Sequence, residues 1–217
     1  MAESWREWLP VFDRWAPSYD EDTRDPWLAY EVAWEFVERS LRAGLDTIRG
    51  KRILDVGCGT GEFVRRLADL GAVGIGVEPS EGMRRVARSK VPSARFLDGH
   101  LAATSLPDDA VDAAIATYVV SHLAPAEQPG AIAELMRVVA DRGPIVVVDV
   151  AAASLSDMPR VTDVLRAAGR ESQVEWFERG SGLACPDWRV ALEASGRTVA
   201  VEPLGPLLIG LAALPLP

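Results

Sequence analysis

The chain has 217 residues, 48% hydrophobic and 25% charged, enough apolar material for one α/β domain with a sizeable core and too little length for two. Its formal net charge is −9 and its 23 basic residues are scattered singly or in pairs, which argues against a nucleic-acid partner because phosphate neutralisation supplies most of that affinity. Two cysteines, Cys58 and Cys185, with no C-x-x-C pair and no histidine cluster, give no metal site; both read as inert thiols.

The amino terminus, Met1-Ala-Glu-Ser-Trp-Arg-Glu7, is charged where a signal peptide would be apolar, and no membrane-length apolar run follows, so a cytoplasmic protein is expected. Five of the seven tryptophans, Trp5, Trp8, Trp15, Trp27 and Trp34, fall in the first 34 residues. Apolar residues from Trp27 to Leu41 recur at helical spacing and Gly44 stops the pattern, predicting a helix over 26–43. Strand one is expected at about 52–57. A helix from Glu62 to about Leu70 ends at Gly71, and strand two runs from Val73 to Glu78. Ser80 is placed to cap a helix reaching about Lys90. Strands at 94–97 and 111–117, a helix at about 126–140 and a strand at 145–150 complete the regular part. The pattern then loosens over 155–184, where two helices and a glycine break at 180–182 are expected. A short helix begins at Asp187, and strands at 198–202 and 207–214 close the chain. The apolar tail from Pro203 is too short to span a bilayer and reads as a buried strand. Strand and helix in alternation predict a doubly wound, mostly parallel sheet of seven strands with helices on both faces.

The segment Arg52-Ile-Leu-Asp-Val-Gly-Cys-Gly-Thr-Gly-Glu62 breaks an apolar strand into glycines at alternate positions, Gly57, Gly59 and Gly61, before a helix. Without Cβ atoms the chain turns sharply and a ligand can approach its backbone, while the amides opening the helix favour acceptor-rich groups. Glu78, ending the next strand about 20 residues on, is placed to take both hydroxyls of a ribose. The spacing is G-x-G-x-G preceded by Asp55, whereas pyrophosphate-binding dinucleotide enzymes use G-x-G-x-x-G.

Asp-Val-Gly-Cys-Gly-Thr-Gly resembles the first motif of the class I S-adenosylmethionine-dependent methyltransferases, a resemblance that extends over about residues 50–150. Phe12-Asp-Arg-Trp-Ala-Pro-Ser-Tyr-Asp20 is also similar to the opening of a group of uncharacterised bacterial methyltransferases. The resemblance implies S-adenosyl-L-methionine as cofactor. Asp55 and the backbone of Gly57, Cys58, Gly59 and Gly61 would hold its aminobutyrate end, and Glu78, followed by Pro79, its ribose. The family places a Gly-Asp pair at the adenine; this chain reads Asp98-Gly99-His100, so either Asp98 or His100 takes that role. Thr117 and Tyr118 match the stretch passing beneath the sulfur. His122 is a candidate general base, with an ordinary pKa near 6.5, and Asp149 a second base or acceptor-binding group at a strand's carboxyl end.

Tyr19 is expected in a lid formed by residues 1–45, and 155–184 in the acceptor pocket, within a single methyltransferase domain spanning 1–217. The partner implied is a small-molecule acceptor, on a monomer or homodimer. Two further readings stay open: a cyclase on the same fold that releases methylthioadenosine, and a cofactor-binding protein without catalysis.

Overall fold

A seven-stranded sheet in the order β3-β2-β1-β4-β5-β7-β6 organises the chain. β1 (Arg52–Val56), β2 (Val73–Val77), β3 (Arg95–Leu97), β4 (Ala113–Thr117) and β5 (Ile145–Val150) run parallel. β7 (Leu208–Pro215) inserts antiparallel between β5 and the edge strand β6 (Arg197–Pro203), so the sheet is mixed at one side. The computed structural model describes residues 4–24, 29–150, 182–205 and 208–216, with 162, 163, 166, 167, 169 and 174 between; most of 155–184, and Trp27, lie outside the described residues.

Among the described residues the helices include α1 (Leu9–Trp15), α2 (Tyr19–Asp22), α3 (Tyr30–Gly44), α4 (Glu62–Asp69), α5 (Glu81–Lys90), α6 (Gln128–Val138) and α7 (Cys185–Ala194). β4 and β5 are buried at every residue because helices cover both faces, and alternate side chains serve opposite cores. Leu54, Ala114, Ile145 and Val147 pack with Leu135, Val138, Trp188 and Leu192 of α6 and α7. Ile53, Ile115, Val146 and Val148 pack on the other face with Phe36, Val37, Leu41 and Leu67 of α3 and α4. Each such fully buried aliphatic side chain contributes about 1.5–3 kcal/mol of transfer free energy.

Two local signals act where they were read, whereas Gly44 acts differently and the helix expected from Asp187 begins at Cys185. Gly71 ends α4 in the left-handed region at φ +82°, and the Ser80 Oγ accepts from the Met83 amide at 3.1 Å to cap α5. Gly44, expected as a helix stop of the same kind, is instead the last residue of α3, followed by extended Leu45. Its smallness is needed for packing, since a Cβ there would lie 2.4 Å from Pro144 Cγ. The tail strand is buried as expected, though in the sheet's interior beside β5.

The chain passes outward from β1 through β2 to β3, then returns to β4 and β5. The direction of winding reverses between β1 and β4, and open α/β sheets form their ligand crevice at that point, beyond the carboxyl ends of the strands. An amino-terminal arm, a 3₁₀ turn at Ser4–Trp8 followed by α1 and α2, supplies one wall of that crevice.

Candidate cofactor site

Strand ends and the glycine loop build the floor of a cavity of about 790 Å³. Asp55, one residue before the end of β1, is 1% exposed, and its Oδ1 has no hydrogen-bond partner among the described residues. Burial, reinforced by the charge of nearby Glu78, pushes its pKa up to about 8. Glu78 is also buried; its Oε1 accepts from the Ser80 amide at 2.8 Å and its Oε2 from the Gly59 amide at 3.1 Å. Desolvation outweighs those two bonds and raises its pKa to about 7. A carboxylate offers about four acceptor positions, so Glu78 keeps capacity for hydroxyl donors after both backbone bonds are made.

The glycines differ in purpose. Gly57 sits at φ +73°, and a Cβ there would fall 2.4 Å from Val119 Cγ2, so the turn closes tightly on the loop after β4. Gly59, at φ +51°, would meet nothing within 4 Å, leaving its backbone open to the cavity it lines. The loop amides are less free than its motif suggests. Those of Gly57 and Cys58 both donate to the Val77 carbonyl at 2.7 and 3.1 Å, and that of Gly61 donates to the Cys58 carbonyl at 2.8 Å. Burial drives the Cys58 thiol pKa well above its ordinary value, leaving it inert at neutral pH.

Aromatic side chains form the roof and far wall. Trp5 stacks on His100 with ring centroids 4.4 Å apart, and Trp8 and Phe12 meet His122 edge-on at 4.9 and 5.3 Å. Beyond them, all three tyrosines of the chain line the cavity. The Tyr19 and Tyr30 hydroxyls lie 3.1 Å apart, and Tyr30 stacks on Tyr118 at 4.9 Å. Desolvation raises the pKa of Tyr19 to about 12 and also raises those of Tyr30 and Tyr118, so all three phenols stay protonated. Tyr118 holds φ +55°, a costly conformation for an aromatic residue that the fold imposes where β4 ends at the cavity.

Among the residues singled out in the sequence, Tyr19, Asp55, Gly57, Cys58, Gly59, Glu78, Pro79, His100, Thr117, Tyr118 and His122 all line this cavity. Gly61 sits behind it as the N-cap of α4, and Gly99 packs against the Ala103 carbonyl. Asp98 turns outward, its side chain 77% exposed and its Oδ1 2.8 Å from Arg84 Nη1, so of the two adenine candidates only His100 faces the space.

Asp149 departs from its expectation as a base. It is completely buried and does not line the cavity; Oδ2 accepts from the Val120 and Ser121 amides at 2.7 and 3.1 Å, and Oδ1 from Val150 at 2.7 Å. It fixes the 3₁₀ turn Val120–His122 that presents His122. Burial lowers the His122 pKa to about 4, against a hydrogen bond to the Tyr118 carbonyl that favours the charged form, so the ring is neutral at pH 7. Tyr30, Trp8 and Phe12 were not singled out for the site. Tyr30 carries the same helical spacing as its core neighbours, which hides its hydroxyl's destination.

The residues fit the group the motif implies. A buried carboxyl with an unsatisfied oxygen suits a ligand bringing an ammonium, an open glycine backbone suits close approach, and Glu78 suits a diol. Together with the doubly wound sheet, these features define a nucleoside-binding α/β protein. A methyltransferase-domain family profile matches residues 53–143. An uncharacterised methyltransferase of Geobacillus thermodenitrificans is 31% identical over 175 residues, covering 80% of this chain and 81% of that protein. The solved DhpI complex with S-adenosylhomocysteine superposes with a TM-score of 0.68 at 21% identity, covering 98% of this chain and 97% of that one. A possible histamine N-methyltransferase of Thermotoga maritima superposes at 0.67 with 18% identity, covering 95% and 98%. The chain belongs to the class I S-adenosylmethionine-dependent methyltransferases, the family whose cofactor is S-adenosyl-L-methionine.

Proposed function

We propose that the protein transfers the methyl group of S-adenosyl-L-methionine to a small-molecule acceptor. The observation that carries this is one cavity that joins the carboxylates and glycine loop to a cluster of aromatic side chains. Asp55, Glu78, the glycine loop and His100 share its lining with Tyr19, Tyr30, Tyr118 and Phe63, whose packed rings and phenol donors offer a second molecule an aromatic wall.

In this reading Asp55 receives the ammonium of the aminobutyrate, Glu78 accepts from the ribose hydroxyls, and the stacked Trp5–His100 pair lies beside the adenine. The indole N–H of Trp5 is buried with no partner among the described residues, which suits a ring nitrogen that accepts. The bound cofactor supplies an electrophilic methyl on a cationic sulfur. The chain's own residues orient an acceptor behind that methyl and exclude water, and such positioning accounts for much of the rate of a displacement. His122, neutral and a weak base, receives a proton from an acceptor only as that acceptor becomes acidic. The site therefore favours acceptors that react without a strong base. We place the activity in the cytoplasm and in a single domain whose amino-terminal arm acts as lid.

A cyclase reading has one observation in its favour, the aromatic roof pressed over the floor, because an enclosed cofactor can react with its own amine. Mass spectrometry of purified protein with S-adenosylmethionine, alone and then with a panel of small amines and phenols, separates the two. The methyl-transfer reading predicts intact cofactor without acceptor, and S-adenosylhomocysteine with a methylated product when an acceptor is present. Methylthioadenosine above a boiled control overturns it in favour of the cyclase. Binding without turnover of any panel member supports a non-catalytic cofactor-binding protein.

A further inference from the structure

Two carboxylates tie the amino-terminal arm to the elements that hold the cofactor. Asp13, in α1, accepts through Oδ1 from the Ser80 hydroxyl at 2.6 Å and the Gly82 amide at 2.9 Å, placing an anion at the amino-terminal end of α5. The approach is close: a Cβ on Gly82 would lie 2.9 Å from the Asp13 carbonyl oxygen. Asp20, in α2, is bound more directly to the glycine loop. Its Oδ1 accepts from the Thr60 hydroxyl and its Oδ2 pairs with Lys90 Nζ, each at 2.5 Å, while Lys90 also donates to the Thr60 hydroxyl at 3.1 Å.

Thr60 lies between Gly59 and Gly61 and is 2% exposed, whereas the Asp20 side chain is 40% exposed at the rim. Glu62, 3.9 Å from Lys90, is the other acid facing this cation among the described residues, and it is already held by Arg65 and Arg66.

We propose that Asp20 is a positioning residue that latches the arm onto the cofactor loop, so that release of the cofactor requires breaking the Asp20–Thr60–Lys90 junction. The arm carries Trp5, Trp8, Phe12 and Tyr19 over the cavity, and a nucleoside amino acid seated on the floor leaves only when they lift. The latch also holds Thr60 in place, and with it the backbone of Gly59, whose amide bonds Glu78. An ion pair at a rim is screened by salt, so opening is sensitive to ionic strength.

This inference rests on the cofactor reading above. The probe is S-adenosylhomocysteine, displaced from the full-length protein by excess sinefungin and followed by tryptophan fluorescence across a salt series. Hydrogen exchange of residues 9–24 without ligand is the second readout. Asp20→Asn is expected to speed dissociation about fivefold at low salt, to remove most of the wild-type salt dependence and to accelerate exchange of the arm. Glu38→Gln, in an exposed pair with Arg42 on α3, is expected to change neither. Lys90→Met should reproduce Asp20→Asn, with the double variant no faster than either single one. Unchanged dissociation and unchanged arm exchange in Asp20→Asn overturn the latch. Failure of S-adenosylhomocysteine to bind the wild type overturns the cofactor reading instead, and the exchange data still decide the latch.

Discussion

The floor and the roof of the cavity are built by different physics. The floor belongs to the sheet: Asp55, Gly57 and Glu78 stand at strand ends whose backbones are fixed by parallel ladders and whose flanks are buried. The roof belongs to the arm, which α1 and α2 form from short helices with no buried residue of their own, held by aromatic contacts and a few polar ties. Opening free energies differ across a fold with such differences in packing. Preorganised chemistry therefore sits on the rigid side and access is controlled from the compliant one.

The floor's carboxylates offer the largest test of that division. Asp55→Ala and Glu78→Ala should each weaken S-adenosylhomocysteine binding about 30- to 100-fold by calorimetry, since each leaves a cationic or hydroxyl donor unpaired in a dry site. Unchanged affinity in both would remove the site assignment.

Gly57 and Gly59 sharpen the comparison within one loop. Gly57→Ala drives a Cβ into Val119 and should cost about 3 kcal/mol in chemical denaturation. Gly59→Ala has open space and only its positive φ against it, for about 1 kcal/mol, but places a methyl where the ligand would lie.

The floor should also announce itself in pH. Asp55 and Glu78 are raised to about 8 and about 7, so the folded chain without ligand holds protons that the unfolded chain has already released. Stability from these groups is thus lost as pH rises toward 8. His122, lowered to about 4, acts oppositely, its unfolded ring binding a proton below 6.5, so the two trends separate above that pH. Between pH 6.5 and 8 the protein without ligand should lose on the order of 2 kcal/mol, or roughly 4–8 °C in Tm. Asp55→Asn should flatten most of that decline, and a flat wild-type profile would contradict the buried pair.

The smallest effect concerns the adenine. His100→Ala should weaken S-adenosylhomocysteine several-fold, while Asp98→Asn, removing an outward-facing charge paired with buried Arg84, should leave affinity unchanged. The reverse result would return the contact to Asp98.

Legibility in the sequence follows the same division. β1, β2, α4 and α5 were readable because their signals are local: an apolar run, a glycine turn, a serine cap, a left-handed Gly71. Their carboxylates were readable because motif spacing fixes where strand ends meet. What decided Asp149 was long-range. Its position at the end of β5 resembles a ligand site, yet three backbone amides from the neighbouring turn and strand consume its oxygens. Asp20 gave no local sign either, because its partners lie 40 and 70 residues away at Thr60 and Lys90. The lone segment Phe12–Asp20 marked the arm, but only tertiary packing shows which of its residues touch the floor.

A crystal structure of the protein with S-adenosylhomocysteine tests the central claim most directly. The account predicts the amino group at Asp55, the ribose hydroxyls on Glu78, the purine beside His100 and Trp5, and the arm closed with Asp20 on Thr60. A ligand whose ribose lies away from Glu78, or a filled site beneath an arm detached from the glycine loop, would contradict it.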